Sequence, residues 1–155
     1  MTSRAELPMA LRAAYLALHR RSDARFASDG VTADQFVLLA TLDRGHALTQ
    51  RELARRMPSD PSTVRAMIVL LEGRGLVARD AHPTDARART VALTPAGRRA
   101  FRKLWAAGES IRAAMYDALG PGDVERLIDC LKRIVEALTA EAAPATTGRP
   151  QTLKR

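Results

Sequence analysis

Arginine carries most of the chemistry this sequence offers. Of its 25 basic residues only Lys103, Lys132 and Lys154 are lysines, and against 17 Asp and Glu they leave a formal net charge of +8. A guanidinium forks onto phosphate oxygens or a guanine edge through parallel N–H groups, so the surplus points to an acidic partner, most often nucleic acid. An Arg- and Ala-rich chain equally records codon usage. Distribution discriminates better: between Thr49 and Lys103 stand twelve basic residues and five acidic ones, a net of +7 in about a third of the chain. That asymmetry is expected of a phosphate-binding face.

Other chemistries find little support. One cysteine excludes a disulfide framework or a thiolate-rich zinc site within one chain. His19, His46 and His82 are too scattered for a metal site, no Ser, His and Asp group together, and neither an enzyme nor a cofactor is expected. Cys130 lies beside an apolar stripe without an adjacent His and reads as a small buried hydrophobe rather than a redox thiol. No run approaches the ~18 apolar residues of a membrane span, and Met1 to Met9 lacks a signal-peptide pattern. A soluble cytoplasmic protein without a membrane partner is expected.

The elements that must position the arginines follow from spacing. Leu7, Leu11, Tyr15, Leu18 and Ser22 mark an amphipathic first helix to about Ala27. Thr32 with Gln35 and Thr49 with Glu52 have the form of capping boxes opening a second and a short third helix, the latter closed by Pro58. Asp60 and Pro61 open a fourth. There Val64, Met67, Ile68 and Leu71 share a core face, while Ser62, Ala66 and Val69 project away and Arg65 flanks them. Val69 is outward by periodicity; partial burial against a neighbour is the favoured expectation, contact with a thymine methyl the other. Leu76–Arg79 and Arg89–Leu93 read as a hairpin around the charged, turn-rich tip 80–88. Thr94 and Pro95 open a long fifth helix expected to reach Leu119. After Gly120, Pro121 and Gly122, a sixth begins near Asp123 with a clean stripe of Val124, Leu127, Ile128, Leu131, Ile134, Val135 and Leu138. Residues 143–155 are read as a disordered tail.

Helix, tight connection, helix, then a charged hairpin is the order of a winged helix-turn-helix, with the fourth helix as reader. Ser62, Thr63 and Arg65 are small or fork-shaped donors suited to base edges and phosphates. An arginine on the hairpin tip, Arg87 beside Arg89, suits the negative potential of a narrow minor groove, and Asp85 two residues away is placed to hold it.

The runs Leu48-Thr49-Gln50-Arg51-Glu52-Leu53-Ala54, Ser62-Thr63-Val64, Leu71-Glu72-Gly73-Arg74-Gly75-Leu76-Val77-Ala78-Arg79 and the segment from Asp85 to Gly97 resemble the MarR family of bacterial transcriptional regulators. The resemblance covers roughly Leu7 to Leu138, and its sharpest element is the wing: Asp85, Arg87, then Leu93-Thr94 and Gly97. It implies a homodimer on inverted-repeat operator DNA, usually a repressor, often released by a small anionic or aromatic effector. It also implies that Arg87 enters the minor groove and that Asp85 pairs with it. Arg65-Ala66 and Val69-Leu70 depart from the residues common in the family, so base preference does not carry over.

The expected architecture is therefore mainly α: a winged helix-turn-helix over 32–94, with 1–31 and 95–142 forming a helical dimerisation domain. An effector cleft between the two would be faced by Tyr15, His19, Phe36 and Leu39, with Arg12 as a carboxylate partner. Each of these also has a packing or surface-charge reading. The competing function is a winged-helix module for protein contacts or small-molecule binding without operator specificity.

Overall fold

A computed structural model describes residues 4–140 and divides into two compact units after Ala113. The first unit begins with α1 (Glu6–Phe26), a 3-10 turn over Ala27–Asp29, and α2 (Ala33–Gly45). Gly30 closes that turn at φ 66°, a conformation glycine adopts without steric cost. The expected capping box forms at α2: the Gln35 amide donates to Thr32 Oγ1, and the Thr32 amide to Gln35 Oε1, both at 3.1 Å. Asp23, from α1, takes a further orphan amide, that of Ala33, at 2.6 Å.

Next come β1 (Leu48–Thr49), α3 (Gln50–Arg56) and α4 (Pro61–Gly73). The α3 box is complete, with the Thr49 amide donating to Glu52 at 2.7 Å and the Glu52 amide to Thr49 Oγ1 at 3.2 Å. Strands β2 (Val77–Ala81) and β3 (Arg89–Leu93) pair antiparallel, Val77 opposite Leu93 and Ala81 opposite Arg89. β1 joins the other edge of β3, Leu48 opposite Val91, giving the order β1-β3-β2. That two-residue strand has no periodicity of its own and was not anticipated.

One apolar core holds this unit together. Leu38, Leu39, Leu42, Leu53, Val64, Ile68, Leu71, Val77 and Val91 are buried, and Met67 completes the expected inner face of α4. Phe101 and Leu104, from α5 (Pro95–Ala107), enter the same core, so α5 is packed into the winged-helix lobe at its base. Thr94 caps α5 through the Gly97 amide at 2.9 Å and donates its hydroxyl to the Gly75 carbonyl at 2.6 Å. A Cβ at Gly97 would stand 1.8 Å from the Leu76 carbonyl oxygen; only a glycine permits that approach.

The expected long fifth helix is instead two. α5 ends at Ala107, Gly108 interrupts, and α6 runs over Glu109–Asp117. At the break Arg112 reaches back to donate to the Trp105 carbonyl at 2.6 Å, its guanidinium 3.9 Å above the Trp105 ring. The Ile111 and Arg112 amides both turn to the Gly108 carbonyl. A backbone carbonyl captured by a side chain within a helix is a recognised cause of a break.

In the second unit α7 (Asp123–Ala140) has the expected stripe, but Leu127, Ile128, Leu131, Val135 and Leu138 are exposed in the single chain. Cys130 is exposed too, correcting the expectation of a buried thiol. The segment 143–155 lies outside the described residues. Among the described residues no helix is long and apolar enough to cross a membrane.

Candidate nucleic-acid interface

The start of α4 is built by Asp60. Its carboxylate accepts the Ser62 amide at 3.0 Å and the Thr63 amide at 3.1 Å, and the Ser62 hydroxyl also donates to it. The Ser62 hydroxyl, then the Thr63 amide, hold the Asp60 carboxyl below its ordinary range. Glu52 is likewise lowered, first by the Thr49 amide and then by its hydroxyl, with Arg56 and Arg55 adding to the effect. Gln50 Nε2 donates to the Pro61 carbonyl at 3.2 Å, fixing α3 against the entry of α4. Ser62, Thr63, Arg65, Ala66 and Val69 are all exposed, so the outward face is the one periodicity assigned. Val69 is 51% exposed, so about half of it is covered, as partial burial requires, and the other half is open on the outward face.

Beside α4 the wing closes a groove of about 540 Å³. Arg51 comes from α3, Arg65 from α4, Arg79 from β2, Arg87 from the tip and Arg89 from β3, with Thr49, Gln50, Ile68, Ala88 and Val91 completing the walls. Five guanidinium groups and no carboxylate line it, an arrangement for a polyanion. Arg65, Arg87 and Arg89 were candidate contacts from sequence. Gln50, Arg51 and Arg79 were not, although Arg51 and Arg79 belonged to the local charge surplus. Arg79 is also held to Glu72 of α4 at 3.0 Å, fastening the wing to the reading helix.

The tip is organised through its backbone. His82 Nδ1 accepts the Thr84 and Asp85 amides at 3.2 and 3.1 Å, and the Asp85 carbonyl accepts the Ala88 amide at 3.1 Å. Asp85 Oδ1 accepts the backbone amide of Arg87 at 3.0 Å. The Asp85 carboxylate thus shapes the turn that carries Arg87, and Arg87 is among the residues lining the groove. Other arginines of the surplus do structural work. Arg74, at the end of α4, donates through Nη2 to the Asp29 carbonyl at 2.9 Å and through Nη1 to the Gly30 carbonyl at 2.5 Å. Lys103 pairs with the Asp29 carboxylate.

The candidate effector residues separate into two groups. Tyr15 and His19 face each other with ring centroids 5.6 Å apart, and His19 stands between Asp23 (3.2 Å) and Asp34 (3.5 Å). Phe36 instead stacks on Phe26 at 4.7 Å and on Phe101 at 5.9 Å, and Leu39 is fully buried; both serve packing. Arg12 is exposed on α1.

An exposed helix with a dedicated cap, braced by a short helix and flanked by an arginine-lined wing, defines a winged-helix DNA-binding protein. The model of the MarR family matches residues 31–88, the region of this interface. The transcriptional repressor MdtR of Bacillus subtilis is 29% identical over 126 residues, 81% of this chain and 77% of that protein. Among solved structures, a probable transcriptional regulator from Pseudomonas aeruginosa is 30% identical with a TM-score of 0.69, covering 83% of this chain and 96% of its own. BpsR of Bordetella bronchiseptica, whose DNA binding is regulated by 6-hydroxynicotinic acid, is 26% identical with a TM-score of 0.77, covering 87% and 97%. The chain belongs to the MarR family of transcriptional regulators.

Proposed function

We propose that this protein acts by binding rather than catalysis, as a homodimeric repressor that seats α4 in successive major grooves of an inverted-repeat operator while Arg87 enters the adjacent minor groove. The observation that carries this is the carboxylate-free groove of five arginines beside the outward face of α4. Dimerisation is supported by the solvated apolar stripe of α7 and by Leu7, Tyr15 and Leu18, all exposed along α1; a single chain leaves such faces in water. Residues 1–31 and 95–142 would supply the dimerisation helices.

The test is titration of a promoter duplex against a random duplex at several salt concentrations, with light scattering on the same samples. Two protomers carry ten groove arginines, of which the two copies of Arg79 are already paired with Glu72, so log Kobs is expected to fall against log salt with a slope approaching about −7 if the other eight neutralise phosphates. A shallow slope, absence of sequence preference, or a monomer at micromolar concentration refutes the proposal. Release by an effector belongs to the same reading, with Tyr15 and His19 as its side chains and an aromatic carboxylate as its class. Such a ligand must bind the free dimer more tightly than the DNA-bound one. Calorimetry is expected to detect it at up to millimolar concentration, and His19→Ala to change the effective ligand concentration more than ligand-free DNA affinity.

A further inference from the structure

The outward face of α4 is unusual for a helix that reads bases, because it has few free hydrogen-bond donors. At about 100° per residue, Ser62, Ala66 and Val69 fall within about 60° of one another, opposite the buried Val64, Met67, Ile68 and Leu71. Ser62 donates its hydroxyl to Asp60, and Asp60 also takes the Ser62 and Thr63 amides. Ala66 and Val69 offer only methyl groups. Arg65, about 40° from Val69 on the same helical projection, leads away into the arginine groove.

We infer that Val69, with Ala66 beside it, is a specificity-determining residue that reads thymine by contact with the C5 methyl group in the major groove. The inference rests on the DNA-binding reading above. A methyl pole flanked by guanidinium groups fits a duplex better than a protein partner: the arginines beside it would face phosphates, and the methyl is the apolar feature of the major-groove edge that marks an A·T pair. Val69 is half exposed and Leu70 more so, at 51% and 59%, which leaves the pole open to an approaching base. Leu70 stands with Thr63 at the side of the face, about 100° from Val69. The expected half-site therefore has thymine where the middle of α4 crosses the groove, and guanine or phosphate contacts toward Arg65.

The experiment selects binding sites for the full chain from a random duplex library, then replaces each thymidine of the selected site by deoxyuridine, which pairs identically but lacks the methyl. At one position per half-site, loss of the methyl is expected to weaken binding about fourfold, the worth of one buried methyl-sized group. In Val69→Ala, an exposed helical change that favours the helix, the thymine site is expected to weaken by a similar factor and the deoxyuridine site to stay unchanged. A selected site indifferent to deoxyuridine throughout overturns the inference and leaves the DNA-binding reading standing. So does a methyl dependence that persists undiminished in Val69→Ala. A library without any enriched sequence overturns both.

Discussion

Gly97→Ala tests how the wing is anchored to the long helices. The added Cβ would lie 1.8 Å from the Leu76 carbonyl oxygen and 2.8 Å from its carbon. Real Cβ contacts essentially never fall below 3.0 Å, so backbone must move by about 1.2 Å. Neither side yields easily. The Leu76 carbonyl accepts the Thr94 amide at 3.1 Å, and the Gly97 amide is itself the donor to the Thr94 cap. Overpacking of this kind costs about 1–3 kcal/mol, more when backbone rather than a side-chain end must shift, whereas alanine returns up to about 1 kcal/mol in helix propensity. The net expectation is destabilisation of about 2 kcal/mol. Urea unfolding at matched protein concentration measures it as a lower midpoint at unchanged slope. Because the strain falls where β2 begins and α5 starts, operator affinity should also drop in the folded variant. An unchanged or raised midpoint would show that the close approach of Leu76 to Gly97 is not maintained in solution.

Arg65→Ala is expected to weaken the selected operator more than random DNA, whereas Arg87→Ala weakens both, since a wing arginine reads groove width and charge; equal losses on both DNAs for Arg65→Ala contradict its base-reading role. Glu52 and Asp60 are held below their ordinary ranges, so the unfolded chain binds more protons in acid and their contribution, present above the unfolded values of 4.5 and 3.8, is lost as pH falls through the folded ones. Glu52→Gln with Asp60→Asn should lower stability at neutral pH and flatten the acid limb of a stability–pH curve; an unaltered limb counts against the caps. His46 ends α2 at φ 59° and ψ −115°, a conformation that favours glycine. His46→Gly is therefore expected to raise the urea midpoint, by about 0.5–1 kcal/mol in stability, as relief of strain exceeds the added chain entropy.

The sequence alone determined the features that depend on neighbours within one turn. Both capping boxes, the Asp60-Pro61 and Thr94-Pro95 starts, and the inner face of α4 were readable because caps and stripes are set by spacings of three and four residues. The wing signature was readable for the same reason, being a contiguous run. Tertiary structure decided what requires residues far apart to meet. β1 exists only because β3 pairs with it, and the groove collects Arg51, Arg65, Arg79, Arg87 and Arg89 from five separate segments. It also sorted the charge surplus, assigning Arg74 to carbonyls 44 and 45 residues earlier and Arg79 to Glu72, while Arg51, Arg65, Arg87 and Arg89 stay exposed. Asp85 lies two residues from Arg87 in sequence, yet the turn directs its carboxylate to the backbone amide. Charge and hydrogen-bonding capacity are properties of a residue, but which partner takes them depends on the path of the chain. The register and break points that set that path come from long-range packing, which periodicity does not encode.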